Sequence, residues 1–163
     1  MSCDWYHPHV HVLPEDDANS ALAYGFQLGL PDTRKLQVLE AAGGRDMVRG
    51  IFRSIHVPQM KRNPNRFMVL LIDFDDTEAW LPKAKNDIPE DLVDRVFIIG
   101  VLTKPEDLKL GPFETVGKAL AKDCRDESYE TWQHELLRHN AEELERLRRL
   151  VRPILFPADI ITL

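Results

Sequence analysis

Cysteine is nearly absent. Cys3 and Cys124 are the only two in 163 residues, they form no CxxC pair, and no histidine stands at zinc-finger spacing from them. A disulfide scaffold and a structural zinc site are therefore not indicated, and a reducing cytoplasm is the expected setting. Long hydrophobic runs are missing too. Nothing approaches the ~18 residues of a spanning helix, and Met1 to Pro14 has neither a basic n-region nor an apolar h-region, so neither membrane insertion nor secretion is expected. An excess of positive charge is also lacking: 21 Lys and Arg face 27 Asp and Glu, a net charge of -6. That argues against a protein that coats nucleic acid with an overall positive field, and leaves room for a local basic groove.

What is present suits one globular unit. Apolar residues make up 44% and charged residues 29%, a balance that supports a buried core in a chain of this length. The acidic residues are unevenly placed. They cluster directly after apolar runs, as Glu15-Asp16-Asp17 and as Asp73-Phe74-Asp75-Asp76.

His9 to Leu13 alternates and reads as a first strand stopped by Pro14. Asp17 or Asn19 can cap a helix running through Leu22 and Phe26 to Leu28, ending near Gly29 and Pro31. A second strand is expected at about Lys35 to Ala41, followed by a Gly43-Gly44 turn into a helix. That helix runs from Asp46 to about Val57, with Met47, Val48, Ile51, Phe52 and Ile55 on one stripe. A basic loop, Lys61-Arg62-Asn63-Pro64-Asn65-Arg66, leads into Phe67 to Ile72, an apolar run without alternation that suits a central strand covered on both faces. Thr77 to Asp94 reads as irregular or as one short helix, and Val96 to Leu102 as a fourth strand. Three helices are expected beyond: Phe113 to Cys124, about Glu127 to Leu137, and Glu142 to Val151. The last is capped by Asn140 and stopped by Pro153.

Strands alternating with helices predict a three-layer α/β/α sandwich on a mostly parallel four-stranded sheet, within a single domain spanning 1–163. The α/β core is placed at 8–110 and a helical C-terminal extension at 111–163. In such sheets chemistry collects at the carboxyl ends of the strands. If strands one and three are neighbours, Glu15, Asp73 and Asp75 meet there, with Asp76 beside them. Converging carboxylates repel unless a cation neutralises them, and oxygen ligands without His or Cys favour Mg²⁺ or Mn²⁺.

A Glu after strand one, a Gly-Gly turn after strand two and an Asp-x-Asp after strand three, in that order, resemble the TOPRIM domain of primases, topoisomerases and OLD-family nucleases. The stretches that carry the resemblance are Val10 to Glu15, Glu40 to Asp46 and Leu70 to Asp75. The resemblance implies Glu15 as general acid/base or metal ligand and Asp73 and Asp75 as metal ligands, with nucleic-acid phosphodiesters, DNA or RNA, as substrates. Asp16 and Asn19 depart from the family pattern of a Gly after the Glu and an acid four residues on. Lys104, in Lys104-Pro105-Glu106-Asp107, stands where the nuclease branch uses a later acidic and basic pair. Gly43, Gly44 and Arg45 lack the Lys-Ser/Thr of a P-loop, yet their amides at a helix start are candidate phosphate donors together with Lys104.

Two other readings compete. Leu71-Ile72-Asp73-Phe74-Asp75-Asp76-Thr77 also resembles the first motif of haloacid-dehalogenase phosphatases. That would make Asp73 a nucleophile and Asp75 its general acid/base, with Thr103 and Lys104 or Lys118 on the phosphate. Alternatively the fold is a non-catalytic module that recruits a protein partner, or a second copy of itself, through its C-terminal helices.

Further residues attract a structural explanation first. His7, His9 and His11 alternate on one face, a geometry open to a transition metal, but edge-strand or surface histidines are the commoner case. Arg45, Arg49 and Arg53 form a basic stripe beside the Lys61 to Arg66 loop, a candidate nucleic-acid contact or a solvated face. Arg146, Arg148, Arg149 and Arg152 read as a solvated face offset by Glu142, Glu143 and Glu145. Trp5, Trp80 and Trp132 show no stacking pattern and read as core or partner contacts.

Overall fold

A computed structural model describes residues 5–157 of the chain. Cys3 lies outside them. Four strands, β1 (His9–Pro14), β2 (Leu36–Val38), β3 (Arg66–Leu71) and β4 (Val96–Ile99), form one sheet in the order β2-β1-β3-β4. Every neighbouring pair is parallel. Parallel neighbours need long crossovers, so the sheet is covered on both faces and its strands are mostly apolar, with His9, His11 and Arg66 as buried polar exceptions. All six residues of β1 and all four of β4 are buried.

Three layers result. One face carries Val10, Val12, Val69, Phe97 and Ile99 against α1 (Asp17–Leu28), α5 (Phe113–Asp126) and α6 (Ala141–Leu155). The other carries Leu13, Met68, Leu70 and Ile98 against α2 (Arg45–Ile51), α3 (Val57–Arg62) and α4 (Leu81–Asn86). Between α2 and α3 the helix is wound one residue wider, as a π segment over Phe52–His56, which turns both of those side chains inward. α1 and α5 cross with their backbones in close contact. A Cβ on Gly25 would stand 2.3 Å from the Glu114 carbonyl oxygen, and one on Gly117 2.2 Å from that of Leu22.

Several expectations are corrected. Histidines 9 and 11 lie on no edge or surface: β1 is an interior strand and they are 0% and 3% exposed. The polar alternation that suggested an outer face is instead answered from within the core, where Arg66 donates through Nε to His9 Nε2 at 3.2 Å. Residues 127–137 are turns, because Asp123 draws them into a knot: its carboxylate accepts the Thr131 and Trp132 amides and the Ser128 hydroxyl. Asp16, rather than Asp17 or Asn19, caps α1 by accepting the Asn19 amide. Asn140 precedes α6 without capping it through its side chain. That side chain goes to β4, accepting the Gly100 amide and donating to the Gly100 carbonyl.

Pro153 lies inside α6 rather than ending it, since a proline in the last turn removes only one internal bond. β2 is three residues long, and the segment at 77–94, expected to be irregular or to hold one short helix, carries the short helix α4 and, in addition, a 3-10 turn over Glu90–Arg95. Of the arginines of α6 only Arg149 is exposed; the other three are not a solvated face. Arg146 donates to the Val93 and Val96 carbonyls, Arg148 is buried against the Ser128 carbonyl, and Arg152 reaches those of Cys124 and Arg125. Arg146, Glu143, which accepts the Ile98 amide, and Asn140 thus cover the free edge of β4, where no fifth strand pairs among the described residues. Among the described residues no helix is long and apolar enough to cross a membrane.

Candidate functional site

The strand order fixes where a site can form. The chain leaves β1 for β2 on one side, through α1 on one face, and then crosses to β3 on the other side, through α2 and α3 on the opposite face. β1 and β3 therefore flank the point where the winding reverses, and the connections leaving their carboxyl ends diverge and open a crevice. Glu15 and Asp73 stand at those two ends.

They meet there. Glu15 continues the ladder, donating its amide to the Leu71 carbonyl at 2.9 Å, and its Oε2 accepts the Asp73 amide at 2.6 Å. Asp73 is held from the other side by the extension of β4. The Ile72 amide donates to the Ile99 carbonyl and the Phe74 amide to that of Val101. This approach is too close for a side chain, since a Cβ on Gly100 would fall 1.6 Å from the Ile72 carbonyl oxygen.

Asn19 links the two acidic clusters. Its Nδ2 donates to Asp16 Oδ1 and to Asp73 Oδ1, both at 3.1 Å. Asn19 is fully buried, and its Oδ1 has no hydrogen-bond partner among the described residues. Asp16 and Asn19 thus belong to the site even though they depart from the family pattern. Their spacing, an acid and an amide three residues apart at a helix start, is the signal that could have placed both on one side of α1's first turn.

The electrostatics follow from this crowding. Burial pushes the Asp73 carboxyl up to about 7; the Asn19 hydrogen bond opposes that shift, and the charges of Glu15, Asp16 and Asp75 reinforce it. Glu15 is also raised, first by burial, with Asp16 and Asp75 adding to it, against the Asp73 amide and Arg45. A carboxylate this poorly neutralised, near further carboxylates and an unpartnered amide oxygen, has the donor chemistry of a hard divalent cation site. As they stand, however, the side chains do not form a ligand shell. Among the described residues no three His, Cys, Asp or Glu groups converge in metal-holding geometry.

The reason is Asp75. Asp75 and Asp76 both adopt left-handed backbone, φ 51° and 58°. Both are exposed, and Asp75 pairs with Arg45 at 2.9 Å. The Gly43-Gly44 turn does reach the site, but both amides donate to the Glu15 carbonyl, at 2.9 and 3.2 Å. That fixes Glu15 and leaves those two donors occupied. Lys104 is exposed after β4, with no ion pair to these acids among the described residues. The basic stripe is largely neutralised, since Arg49 and Arg53 both face Asp87, at 2.7 and 3.8 Å.

Comparison of the chain with known family models, with curated proteins and with solved structures finds no match in any of the three.

Proposed function

We propose that the protein is a TOPRIM-like, Mg²⁺- or Mn²⁺-dependent enzyme acting on nucleic-acid phosphodiesters. The observation that carries this is the meeting of Glu15, Asp16, Asn19 and Asp73 at the reversal point between β1 and β3. In this reading Asp73 and Asp16 hold the cation, with the Asn19 Oδ1 beside them, in place of the expected set of Glu15, Asp73, Asp75 and Asp76. When bound, a divalent cation neutralises phosphate charge and makes a water molecule easier to deprotonate. Glu15 is the proton-transfer group. Oε2 is fixed by the Asp73 amide, and the raised pKa suits exchange of a proton at the other oxygen.

The test is hydrolysis of single- and double-stranded DNA and RNA by the purified chain with Mg²⁺ or Mn²⁺, against a chelator control. Glu15→Gln and Asp73→Asn are expected to lower the rate by about 10²-fold or more. A wild-type protein inert on all four substrates with both cations sinks the reading. Turnover of small phosphate esters with a covalent adduct on Asp73 would point instead to the phosphatase chemistry that Asp73-x-Asp75-x-Thr77 resembles.

A further inference from the structure

We propose that Arg45 is a latch on Asp75, holding that carboxylate away from Asp73 until a substrate phosphate draws the guanidinium off. The inference rests on the cation-site reading of Glu15 and Asp73, and it explains why four acids gather at one strand crevice without forming a ligand shell.

The geometry is specific. Arg45 is the first residue of α2, directly after Gly44, whose φ of 145° turns the chain into the helix. From there its side chain crosses to the loop after β3 and contacts it twice. Nη1 pairs with Asp75 Oδ2 at 2.9 Å, and the guanidinium carbon lies 5.0 Å above the Trp80 ring. Trp80 is itself buried and fixed, donating Nε1 to the Phe74 carbonyl at 3.3 Å and packing on the Phe74 ring at 4.9 Å. The aromatic platform therefore holds Arg45 in reach of Asp75, and the left-handed turn at Asp75 and Asp76 presents the carboxylate to it.

The strength suits a latch rather than a permanent brace. The Arg45 and Asp75 side chains are 28% and 64% exposed, and pairs this open are worth no more than about a fivefold change in an equilibrium. A phosphate oxygen pair offers the same guanidinium a bidentate, charge-assisted contact, so it competes effectively. Arg49 and Arg53, further along the same helical face, are held by Asp87, which lies outside the acid cluster. Arg45 is thus the arginine of this stripe that is tied to a candidate ligand. Its release performs two steps together: the phosphate gains a cation, and Asp75 regains a free carboxylate to turn toward Asp73.

The test is calorimetric titration of the full chain with Mg²⁺ alone, on the wild type, Arg45→Gln, Asp75→Asn and the double variant, repeated with saturating inorganic phosphate. Arg45→Gln is expected to tighten Mg²⁺ binding about three- to fivefold. In the Asp75→Asn background the same change is expected to have no effect. Phosphate is expected to tighten Mg²⁺ binding in the wild type and not in Arg45→Gln. Equal tightening in both backgrounds would mean that Arg45 acts only as a nearby charge, and no tightening in either would mean that it restrains nothing. Both outcomes overturn the latch while leaving the cation site standing. Absence of Mg²⁺ binding in all four proteins overturns the cation-site reading itself, and the latch with it.

Discussion

Replacing His11 with leucine is expected to make the protein less sensitive to acid. His11 is 3% exposed on an interior strand, and among the described residues neither ring nitrogen has a hydrogen-bond partner. Around it stand Arg66, His9 and His56, with the Trp5 ring 6.0 Å away. Burial first, and then the charges of Arg66, His9 and His56, hold its pKa down to about 3. The unfolded chain takes up a proton on this ring near its ordinary value of 6.5, whereas the folded chain stays neutral to about 3. Folding stability due to His11 is therefore complete above pH 6.5 and is lost as the pH falls from there toward 3. The slope is about 1.4 kcal/mol per pH unit, so the loss between pH 8 and pH 5 is about 2 kcal/mol. Leucine fills a similar volume and carries no titrating nitrogen. Urea unfolding of both proteins at the two pH values reads the effect directly. The stability difference between variant and wild type is expected to move by about 2 kcal/mol in the variant's favour on acidification, roughly 1 M in midpoint. His56 and His139, also held down by burial, titrate in both proteins and cancel. Equal losses in wild type and variant would refute the reasoning, since they would mean that His11 is solvated or already protonated in the folded state.

Three further substitutions test the packing and the site. Asp73→Asn in chelator is expected to stabilise the fold at pH 8 by about 2–4 kcal/mol in thermal or urea unfolding. The raised pKa of Asp73 means that its contribution, full below pH 4, is lost as the pH rises through 7, so the gain should vanish at pH 4. A variant less stable than wild type at pH 8 would contradict the buried-charge account. Gly117→Ala is expected to cost about 3 kcal/mol, because its Cβ meets α1 backbone at 2.2 and 2.6 Å. Gly50→Ala, with nothing within 4 Å of its Cβ, is expected to gain about 0.5–1 kcal/mol from helix propensity. Paired melting curves of the two variants read both signs.

Much of the layer structure was legible because burial writes its own period. The unbroken apolar run of β3 announces a strand covered on both faces. Of the stripe expected along α2 and the π segment, Val48, Ile51 and Phe52 pack inward, whereas Met47 and Ile55 are exposed, the latter because the wider turn at Phe52–His56 shifts the inward face. What misled was polarity with a hidden partner. His9 and His11 alternate as exposed residues do, but Arg66 lies opposite His9 in the β1–β3 register, and the π segment swings His56 to the same side. The same holds for Arg146 of α6, which reads as solvated until β4 is placed beside it. An edge strand leaves carbonyls that need donors, and Arg146 donates to that of Val96 in β4 and to that of Val93 in the turn before it. Residues 127–137 have helical spacing in sequence, but Asp123 accepts three local donors, and that outweighs propensity in so short a segment.

For the candidate site, position was legible and direction was not. Carboxylates after strands one and three must reach the same rim once those strands are neighbours, and Glu15 and Asp73 do. Whether a carboxylate at the rim points into the crevice depends on the partner that its local backbone lets it reach. Asp73 remains in line with β3 and turns to Asn19, whereas two residues later Asp75, in left-handed backbone, is within reach of Arg45 and pairs with it. Asp and Asn adopt that conformation more readily than most residues, so the same acids that make the cluster recognisable also allow part of it to turn away. The net charge of -6 therefore says little about affinity for a polyanion. What matters locally is how many of these carboxylates are already answered; among the described residues Asp75 has the Arg45 guanidinium, while the Asp73 carboxylate has the side-chain amide of Asn19 alone.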